Sequence, residues 1–502
     1  MAYLSLPFFR ANCPQICLGT QGLLGLFHLT ISLERLRTHL YIVGQSGQGK
    51  SKLLQHLLYQ IATAGWGCGV IDPHSDLASD LIGQLASYPV SKPWLSEPAN
   101  RKRVIYLDPA RTDSVVPVNL LKNSVATPYV IAENIVEAFK RVWPETLAEA
   151  PRFAQILRNT ILVLATRGLT LLELEPFLTH AELRARLLTN FPDPQVTSFF
   201  ETQFNRWGRE QVIMASPVLN KVSAFLFQPA VRLSLGASEN RLDFRTILDR
   251  GQVLIVDLGG LTGETQQLYG SLLVTSLEHA AMSRRDLAPA ERRPFFCMID
   301  EFPFFCARDS TTLARILSEV RKFNVYLGLA HQTIAQTDVR MQGALENAKL
   351  KCVFATGRQT AEALAQTLYL PNPEAVKHLV EEREQQTRSH PLFESLYNQL
   401  EMAVQEIMRL RQRQVLVKLP DREALVKLRT PTVPKVRVTR EQLGEIKRLL
   451  VRQAGRPRQE LEQAMAERTH TIAGASREAN SVNPDETAWK AQFFEPAAVG
   501  AG

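Results

Sequence analysis

The amino-acid sequence predicts an α/β protein with a parallel sheet and an inserted all-α domain. Residues 39–121 and 246–440 alternate short β-prone apolar runs with segments that are apolar at helical spacing, which is the pattern of a parallel sheet. Residues 122–245 show helical spacing alone, broken by prolines, and are therefore assigned to the insertion. A phosphate-binding motif after the first of these strands places a ligand at the carboxyl ends of the strands.

Length, composition and net charge bear on the number of domains, the class of protein and the kind of partner. With 502 residues, the chain is expected to form two or three domains. Its 45% hydrophobic and 22% charged residues are typical of an ordinary globular protein. The net charge of +8 suits an anionic partner, although a solvated basic surface would explain it as well.

Cysteine usage and hydropathy bear on the compartment. Among six cysteines only Cys13 and Cys17 lie close together, without a second pair or a histidine cluster, so reduced thiols are expected. No run approaches ~18 apolar residues, and the first residues lack the basic start of a signal peptide. We therefore expect a cytoplasmic protein without a membrane span, which a partner could still recruit to the inner face of the membrane.

The elements before and around the phosphate-binding loop can be read in order. Residues 1–38 form a lead-in, in which 27–31 predict a short strand. Residues 39–43 predict the strand that enters the loop, and 52–61 predict the helix that leaves it, as the motif G-x-x-x-x-G-K-[ST] requires. Its glycines let backbone N–H groups converge on phosphate oxygens, and the helix dipole favours negative charge. The predicted nucleotide-binding residues are Gly44, Gln45, Ser46, Gly47, Gln48, Gly49, Lys50 and Ser51.

The predicted ligands are ATP and Mg²⁺. Lys50 would reach the β- and γ-phosphates, and the hydroxyl of Ser51 would ligate the metal. The buried apolar strand 295–299 ends in two carboxylates, Asp300 and Glu301. We expect Asp300 to hold Mg²⁺, directly or through water, and Glu301 to orient and polarise the attacking water. Two solvated acids at an ordinary strand end are the alternative.

Three further side chains are candidates for the catalytic site. Gln332 follows the next strand and could sense the γ-phosphate, or could simply hydrogen-bond the strand end. Arg321 ends the helix between these two strands, where it could act as an arginine finger or merely complement the helix C-terminus. Arg358 is a second candidate for a finger.

Other acidic residues follow strands without forming a metal site. Asp72 and His74 are too few ligands for a metal, so a turn capped by Asp72 and Asp76 is the better interpretation. For Asp257, which ends another predicted strand, a structural and a catalytic role remain open.

The remaining elements complete the two domains. Residues 375–413 predict a charged pair of helices on the surface, and 441–502 predict a polar helix followed by a tail that is disordered from residue 472. The other predicted strands are 69–77, 103–109, 252–258, 325–330, 350–354 and 414–419, and the predicted insertion helices are 131–142, 153–165 and 183–188.

The order of these motifs resembles that of one known superfamily. The phosphate loop at 44–51 is followed by Asp-Pro-His-Ser-Asp-Leu at 72–77, Met-Ile-Asp-Glu-Phe at 298–302, Leu-Ser-Glu-Val-Arg-Lys at 317–322 and Ala-His-Gln at 330–332. Together they resemble the FtsK/HerA superfamily of DNA-pumping ATPases, and within it the type IV secretion coupling proteins of the TraG/TraD class. The resemblance covers roughly residues 30–435, including the helical insertion.

The resemblance implies a RecA-like P-loop NTPase that forms a homo-hexameric ring and moves DNA through its channel, with Arg321 as a finger acting in trans. Three departures from the family pattern are present. We expect no N-terminal membrane anchor of the usual kind, Ser75 replaces a frequent glycine, and Ala355 stands where many relatives carry an arginine.

Three functions follow as hypotheses. The first is a DNA translocase or coupling ATPase for conjugative or type IV secretion-type transfer, with a relaxase or secretion channel as partner. The second is a HerA-like helicase or translocase in repair or defence, with a nuclease as partner. The third is a nucleotide-dependent adaptor that recruits substrate proteins through the helical insertion.

Overall fold

An eleven-stranded sheet forms the centre of the molecule. The computed structural model describes residues 15–22, 27–145, 151–306, 310–381 and 389–477, and the statements below concern these residues. The strands are β1 (Gln15–Gln21), β2 (Phe27–Ser32), β3 (Leu40–Val43), β4 (Gly67–Asp72), β5 (Val104–Leu107), β6 (Ser114–Val115), β7 (Val253–Asp257), β8 (Phe295–Ile299), β9 (Val325–His331), β10 (Leu350–Val353), β11 (Val376–Glu381), β12 (Ser389–Phe393), β13 (Gln414–Lys418), β14 (Val426–Arg429) and β15 (Arg456–Pro457). The sheet order is β2-β1-β14-β13-β10-β3-β9-β8-β4-β7-β5, in which the strands from β10 to β5 run parallel.

The parallel part of the sheet confirms the predicted fold class. Every residue of β3, β4, β5, β7, β8 and β9 is buried, as expected for strands covered on both faces by helices. Each of these strands coincides with a predicted apolar run, and so do β10 and β13. The α-helices are Leu33–Leu36, Lys50–Thr63, Asp76–Ser87, Pro98–Arg103, Pro128–Val142, Pro151–Thr166, Leu174–Thr179, Ala181–Leu188, Pro194–Ser198, Glu210–Phe225, Pro229–Leu235, Phe244–Arg250, Gly263–Ser283, Pro303–Cys306, Ser310–Glu319, Val339–Leu345, Arg358–Leu368, Leu396–Met408, Arg440–Ala454 and Arg458–Arg477.

The segment between β6 and β7 is helical, as predicted. Its helices Pro128–Val142, Pro151–Thr166 and Ala181–Leu188 match the three predicted helices. The first of them packs on helix Gly263–Ser283 of the sheet domain, where the guanidinium of Arg141 donates a hydrogen bond of 2.7 Å to Thr275. We propose the predicted limits, 122–245, for this inserted domain.

The sheet continues beyond the parallel strands into an antiparallel flank. β13 pairs with β10 and β14, and β1 pairs with β14 and β2. The sequence predicts only β2 and β13 of this flank, because β1 and β14 lack an unbroken apolar run and are defined by their pairing. The predicted short strand at 27–31 is confirmed as β2.

The prediction of two helices at 375–413 is wrong. Residues in this stretch form an antiparallel pair, β11 and β12, followed by a single helix, Leu396–Met408. Pro391 lies within β12, and proline has no N–H to continue a helix. Ser395 starts the helix instead, since its side chain accepts a hydrogen bond from the Asn398 N–H.

The C-terminal part forms two helices. Arg440–Ala454 is the predicted polar helix, and a second helix, Arg458–Arg477, extends past residue 472, where the sequence predicts disorder. The rest of the predicted tail, 478–502, lies outside the described residues. Within the described ranges, no helix combines the length and apolar character needed to cross a membrane. Cys17 forms no disulfide with a described cysteine, and its sequence neighbour Cys13 lies outside those ranges.

Candidate functional site

A cleft of about 470 Å³ lies at the carboxyl edge of the parallel strands. β9 lies between β3 and β8, and β4 lies beyond β8, so the loops after these strands converge on one region. Of the predicted site residues, the cleft is lined by Ser46, Gly47, Gly49, Lys50, Ser51, Asp300, Glu301 and Gln332. Gly44, Gln45 and Gln48 belong to the same loop but do not line the cleft, and Arg321 lies elsewhere.

The phosphate-binding loop connects β3 to helix Lys50–Thr63. Gly47 and Gly49 adopt φ angles of 77° and 114°, which residues other than glycine rarely adopt. A Cβ atom on Gly44 would lie 2.5 Å from that of Phe354, so this glycine is also required by close packing. The glycines of the motif therefore serve the backbone geometry that the sequence predicts.

Lys50 is buried at the base of the loop, with 6% of its surface exposed. Its ammonium donates hydrogen bonds to the carbonyl oxygens of Gly44 (2.7 Å) and Gln45 (3.2 Å). Burial lowers the pKa of Lys50, while the carboxylates of Glu301 and Asp300 act in the opposite direction. The predicted phosphate-binding cation thus faces the predicted acidic pair.

Asp300 and Ser51 present oxygen ligands that fit Mg²⁺. The Ser51 hydroxyl donates to an Asp300 carboxylate oxygen at 3.5 Å, and Asp300 is only 5% exposed. Burial, followed by the charges of Glu301 and Asp72, raises the pKa of Asp300 to about 6, although Lys50 opposes the rise. The described residues contain no cluster of three or more metal-ligating side chains. One carboxylate and one hydroxyl suit Mg²⁺, which takes its other ligands from phosphate and water.

Glu301 follows Asp300 in a strained conformation. Its φ angle is 45°, in the left-handed region that residues with a side chain rarely adopt. Such strain is concentrated at functional sites, where it fixes the direction of a side chain. Glu301 is half-buried and lines the cleft, where water can reach its carboxylate.

Replacing Asp300 with Asn is expected to stabilise the protein without nucleotide more at pH 7 than at pH 4. The pKa of this carboxyl is 3.8 ordinarily and about 6 in the folded protein, so the folded state binds the proton more tightly than the unfolded chain. The wild type therefore loses stability as the pH rises from 4 to 7, by roughly 2 kcal/mol at about 1.4 kcal/mol per pH unit between the two pKa values. Urea unfolding of both proteins at several pH values measures the difference, and parallel profiles would contradict it.

Gln332 lies at the end of β9, between the phosphate loop and the acidic pair. It is half-buried, and among the described residues its side-chain amide forms no hydrogen bond, so the amide is free to meet a ligand. The preceding residue, His331, is fully buried, and its Nε2 atom lies 2.7 Å from the hydroxyl of Tyr41 on β3. This pair fixes the backbone from which Gln332 extends.

Arg321 is far from the cleft of its own chain. It lies in a 3-10 turn, Val320–Phe323, that ends helix Ser310–Glu319, at the amino end of β9. Gln332 follows the other end of this seven-residue strand, which makes the separation about 20 Å. Arg321 is exposed, and no described residue forms an ion pair or hydrogen bond with its side chain. A finger role for Arg321 therefore requires the cleft of a neighbouring chain.

Arg358, the second candidate for a finger, already has two partners. Its guanidinium forms ion pairs with Glu362 (2.7 Å) and Glu401 (2.8 Å) at the surface.

The turn after β4 is held by hydrogen bonds to Asp72. The carboxylate of Asp72 accepts from the N–H groups of His74 (2.8 Å) and Ala78 (2.9 Å), which confirms the predicted capping by Asp72. Asp76 makes no such bond among the described residues and lines the cleft instead.

Asp257 has a structural role in this turn. Its carboxylate accepts hydrogen bonds from the hydroxyl groups of Ser75 (2.5 Å) and Tyr106 (2.8 Å). It also forms an ion pair of 3.2 Å with Lys447, which extends from helix Arg440–Ala454. These contacts favour the structural interpretation of Asp257.

One wall of the cleft comes from residues that the sequence does not predict. They lie in the turn before β13 and in the segment after β14, and no motif marks them. These residues are Gln412, Arg413, Thr430, Pro431, Thr432 and Val433.

Comparison with known proteins gives one family match and several similar folds. Residues 27–277 match the family model described as the central domain of the helicase HerA, DUF87. No curated protein matches the chain. The bacterial conjugative coupling protein TrwBdeltaN70 superposes with a TM-score of 0.55 at 17% identity, covering 86% of this chain and 92% of that one.

Two further structures carry the same fold. The plasmid coupling protein TrwB in complex with the ATP analogue ADPNP gives a TM-score of 0.56 at 18% identity, with the same coverage of 86% and 92%. VirB4 of Thermoanaerobacter pseudethanolicus gives 0.51 at 13% identity, covering 84% of this chain and 98% of that one. The predicted RecA-like P-loop NTPase fold is therefore confirmed.

Proposed function

Because the chain belongs to the helicase HerA central-domain family (DUF87), we propose that it is an ATPase that moves DNA in conjugative or type IV secretion-type transfer. The resemblance to the FtsK/HerA superfamily is confirmed by this membership. The observation that carries the proposal is the single cleft that brings together Lys50, Ser51, Asp300, Glu301 and Gln332.

Each of these side chains has a proposed role in ATP hydrolysis. The phosphate loop binds the β- and γ-phosphates through its N–H groups and through Lys50. Ser51 and Asp300 would hold Mg²⁺, which would supply positive charge next to the phosphates. Glu301 orients the attacking water and accepts its proton, and Gln332 contacts the γ-phosphate.

We place the motor in a homo-hexameric ring, with Arg321 completing the cleft of the next subunit. Three observations support this arrangement: Arg321 is exposed, has no partner among the described residues and lies at the opposite sheet edge from its own cleft. The coupling protein TrwB has the same fold, and its structures include complexes with ADP and Mg²⁺, with an ATP analogue and with a GTP analogue.

A second candidate function is a helicase or translocase in repair or defence, with a nuclease as partner. The family match favours it, because the matching model describes a helicase domain. Both candidates predict a motor that grips the DNA backbone. The protein that is isolated with this chain would distinguish the two functions. A relaxase or a secretion channel would support DNA transfer, and a nuclease would support repair or defence.

The ATPase rate with and without DNA tests the motor function. We expect single- or double-stranded DNA to raise the rate, and the increase to weaken steeply with salt, because backbone binding releases counterions. The measurement is phosphate release at several salt concentrations for the wild type and for Lys50→Ala, which should show no turnover in any condition. An ATPase rate that neither single- nor double-stranded DNA changes would contradict the motor function and favour the substrate-recruiting adaptor.

A further inference from the structure

The carbonyl groups of the phosphate loop have partners from a distant part of the chain. The side-chain amide of Gln412 donates a hydrogen bond of 2.9 Å to the carbonyl oxygen of Gly47. The N–H of Arg413 donates one of 3.0 Å to the carbonyl oxygen of Gln48. In a trans peptide the C=O and the next N–H point in opposite directions. Holding these two carbonyls therefore also sets the direction of the Gln48 and Gly49 N–H groups.

The two donors come from a rigid turn. Arg413 has a φ angle of 69°, and its guanidinium donates to the Thr430 carbonyl (2.7 Å) and the Thr432 hydroxyl (2.8 Å). The Thr430 N–H donates in return to the Arg413 carbonyl at 2.8 Å. The side chain of Gln414 closes the turn by accepting from the Arg411 N–H at 2.9 Å. The donors are thus held in place before any ligand arrives, which keeps the ordering cost of binding low.

We infer that Gln412 and Arg413 are positioning residues for phosphate binding, in that they orient the N–H groups of the phosphate loop. This inference rests on the proposed function, because it assigns the loop to a nucleotide. The two residues act through the backbone of the loop, so their contribution lies in nucleotide affinity and leaves the chemical step at saturating ATP unchanged. The turn before β13, which contains no recognised nucleotide-binding motif, thereby becomes part of the nucleotide site.

Three variants test the inference. Gln412→Met keeps the length of the side chain and removes the donor, whereas Gln412→Lys keeps a donor. Gln405→Met is the matched control, because Gln405 lies on the preceding helix and, among the described residues, its side chain bonds only Glu401. The measurements are the Kd of a fluorescent ADP analogue with Mg²⁺, the kcat for ATP and the midpoint of thermal unfolding.

We expect Gln412→Met to raise the Kd about two- to fivefold, because one exposed hydrogen bond is lost. The kcat and the unfolding midpoint should not change. Gln412→Lys and Gln405→Met should bind like the wild type. A Kd that is unchanged in Gln412→Met, or raised equally in Gln412→Lys, would overturn the inference while leaving the proposed function intact. A wild type that binds no nucleotide would instead refute the proposed function, and the inference with it.

Discussion

Replacing Glu301 with Gln is expected to reduce ATP turnover at least about a hundredfold, the usual contribution of a general base, while nucleotide still binds. The amide has the shape of the carboxylate but cannot take a proton from water. Among the described residues no hydrogen bond joins the Glu301 side chain to the phosphate loop, so the substitution should leave the geometry of that loop unchanged. Phosphate release at saturating ATP measures turnover, and binding of an ADP analogue measures affinity.

The control for this variant is Glu441→Gln. Glu441 is exposed in the first turn of helix Arg440–Ala454 and does not line the cleft. Turnover of Glu441→Gln should equal that of the wild type. If Glu301→Gln loses affinity and turnover by the same factor, Glu301 is a binding residue and not the base.

Replacing Arg321 with Ala is expected to reduce turnover about a thousandfold, the lower end of the range for an arginine finger. The guanidinium would stabilise charge on the transferred phosphate of a neighbouring subunit, since it lies about 20 Å from the cleft of its own chain. Lys322→Ala is the matched control, because Lys322 is the next residue and is paired with Glu319 at 3.0 Å. Phosphate release in the presence of DNA measures both variants.

Mixing experiments then separate a finger in trans from a local role. Arg321→Ala subunits keep an intact phosphate loop, and Lys50→Ala subunits keep an intact Arg321. In an equal mixture, about a quarter of the subunit contacts would combine the intact halves, so about a quarter of wild-type turnover should return. No recovery in a mixture that demonstrably forms mixed rings would refute action in trans.

The parts of the fold that the sequence predicts are those with a local signal. β3, β4, β5, β7, β8 and β9 are buried on both faces, so each appears as an apolar run of its own. The phosphate loop, Asp300 and Gln332 follow such runs directly, which is why their positions at one sheet edge could be predicted. β14, in contrast, is a short alternating segment that becomes a strand only by pairing with β13 and β1.

The wall of the cleft could not be predicted for a related reason. Gln412 and Gly47 are 365 positions apart in the sequence, and no local pattern around either residue predicts their contact. Arg321 lies at the amino ends of the parallel strands, whereas the cleft lies at their carboxyl ends. The motif predicts only that Arg321 ends a helix, so this location follows from the assembled sheet. The error at 375–413 came from treating charged residues as helical although Pro391 interrupts the segment.

The same separation has a consequence for how the protein is made. A ribosome synthesises the phosphate loop first and the turn that supports it 365 positions later, a delay of roughly 20 to 70 s at about 5–20 residues per second. During that interval the carbonyl groups of Gly47 and Gln48 have no donors from the turn before β13, and the cleft lacks this wall. The nascent loop should therefore bind nucleotide more weakly than the folded protein does, and its affinity should reach the full value only when β13 and β14 have joined the sheet.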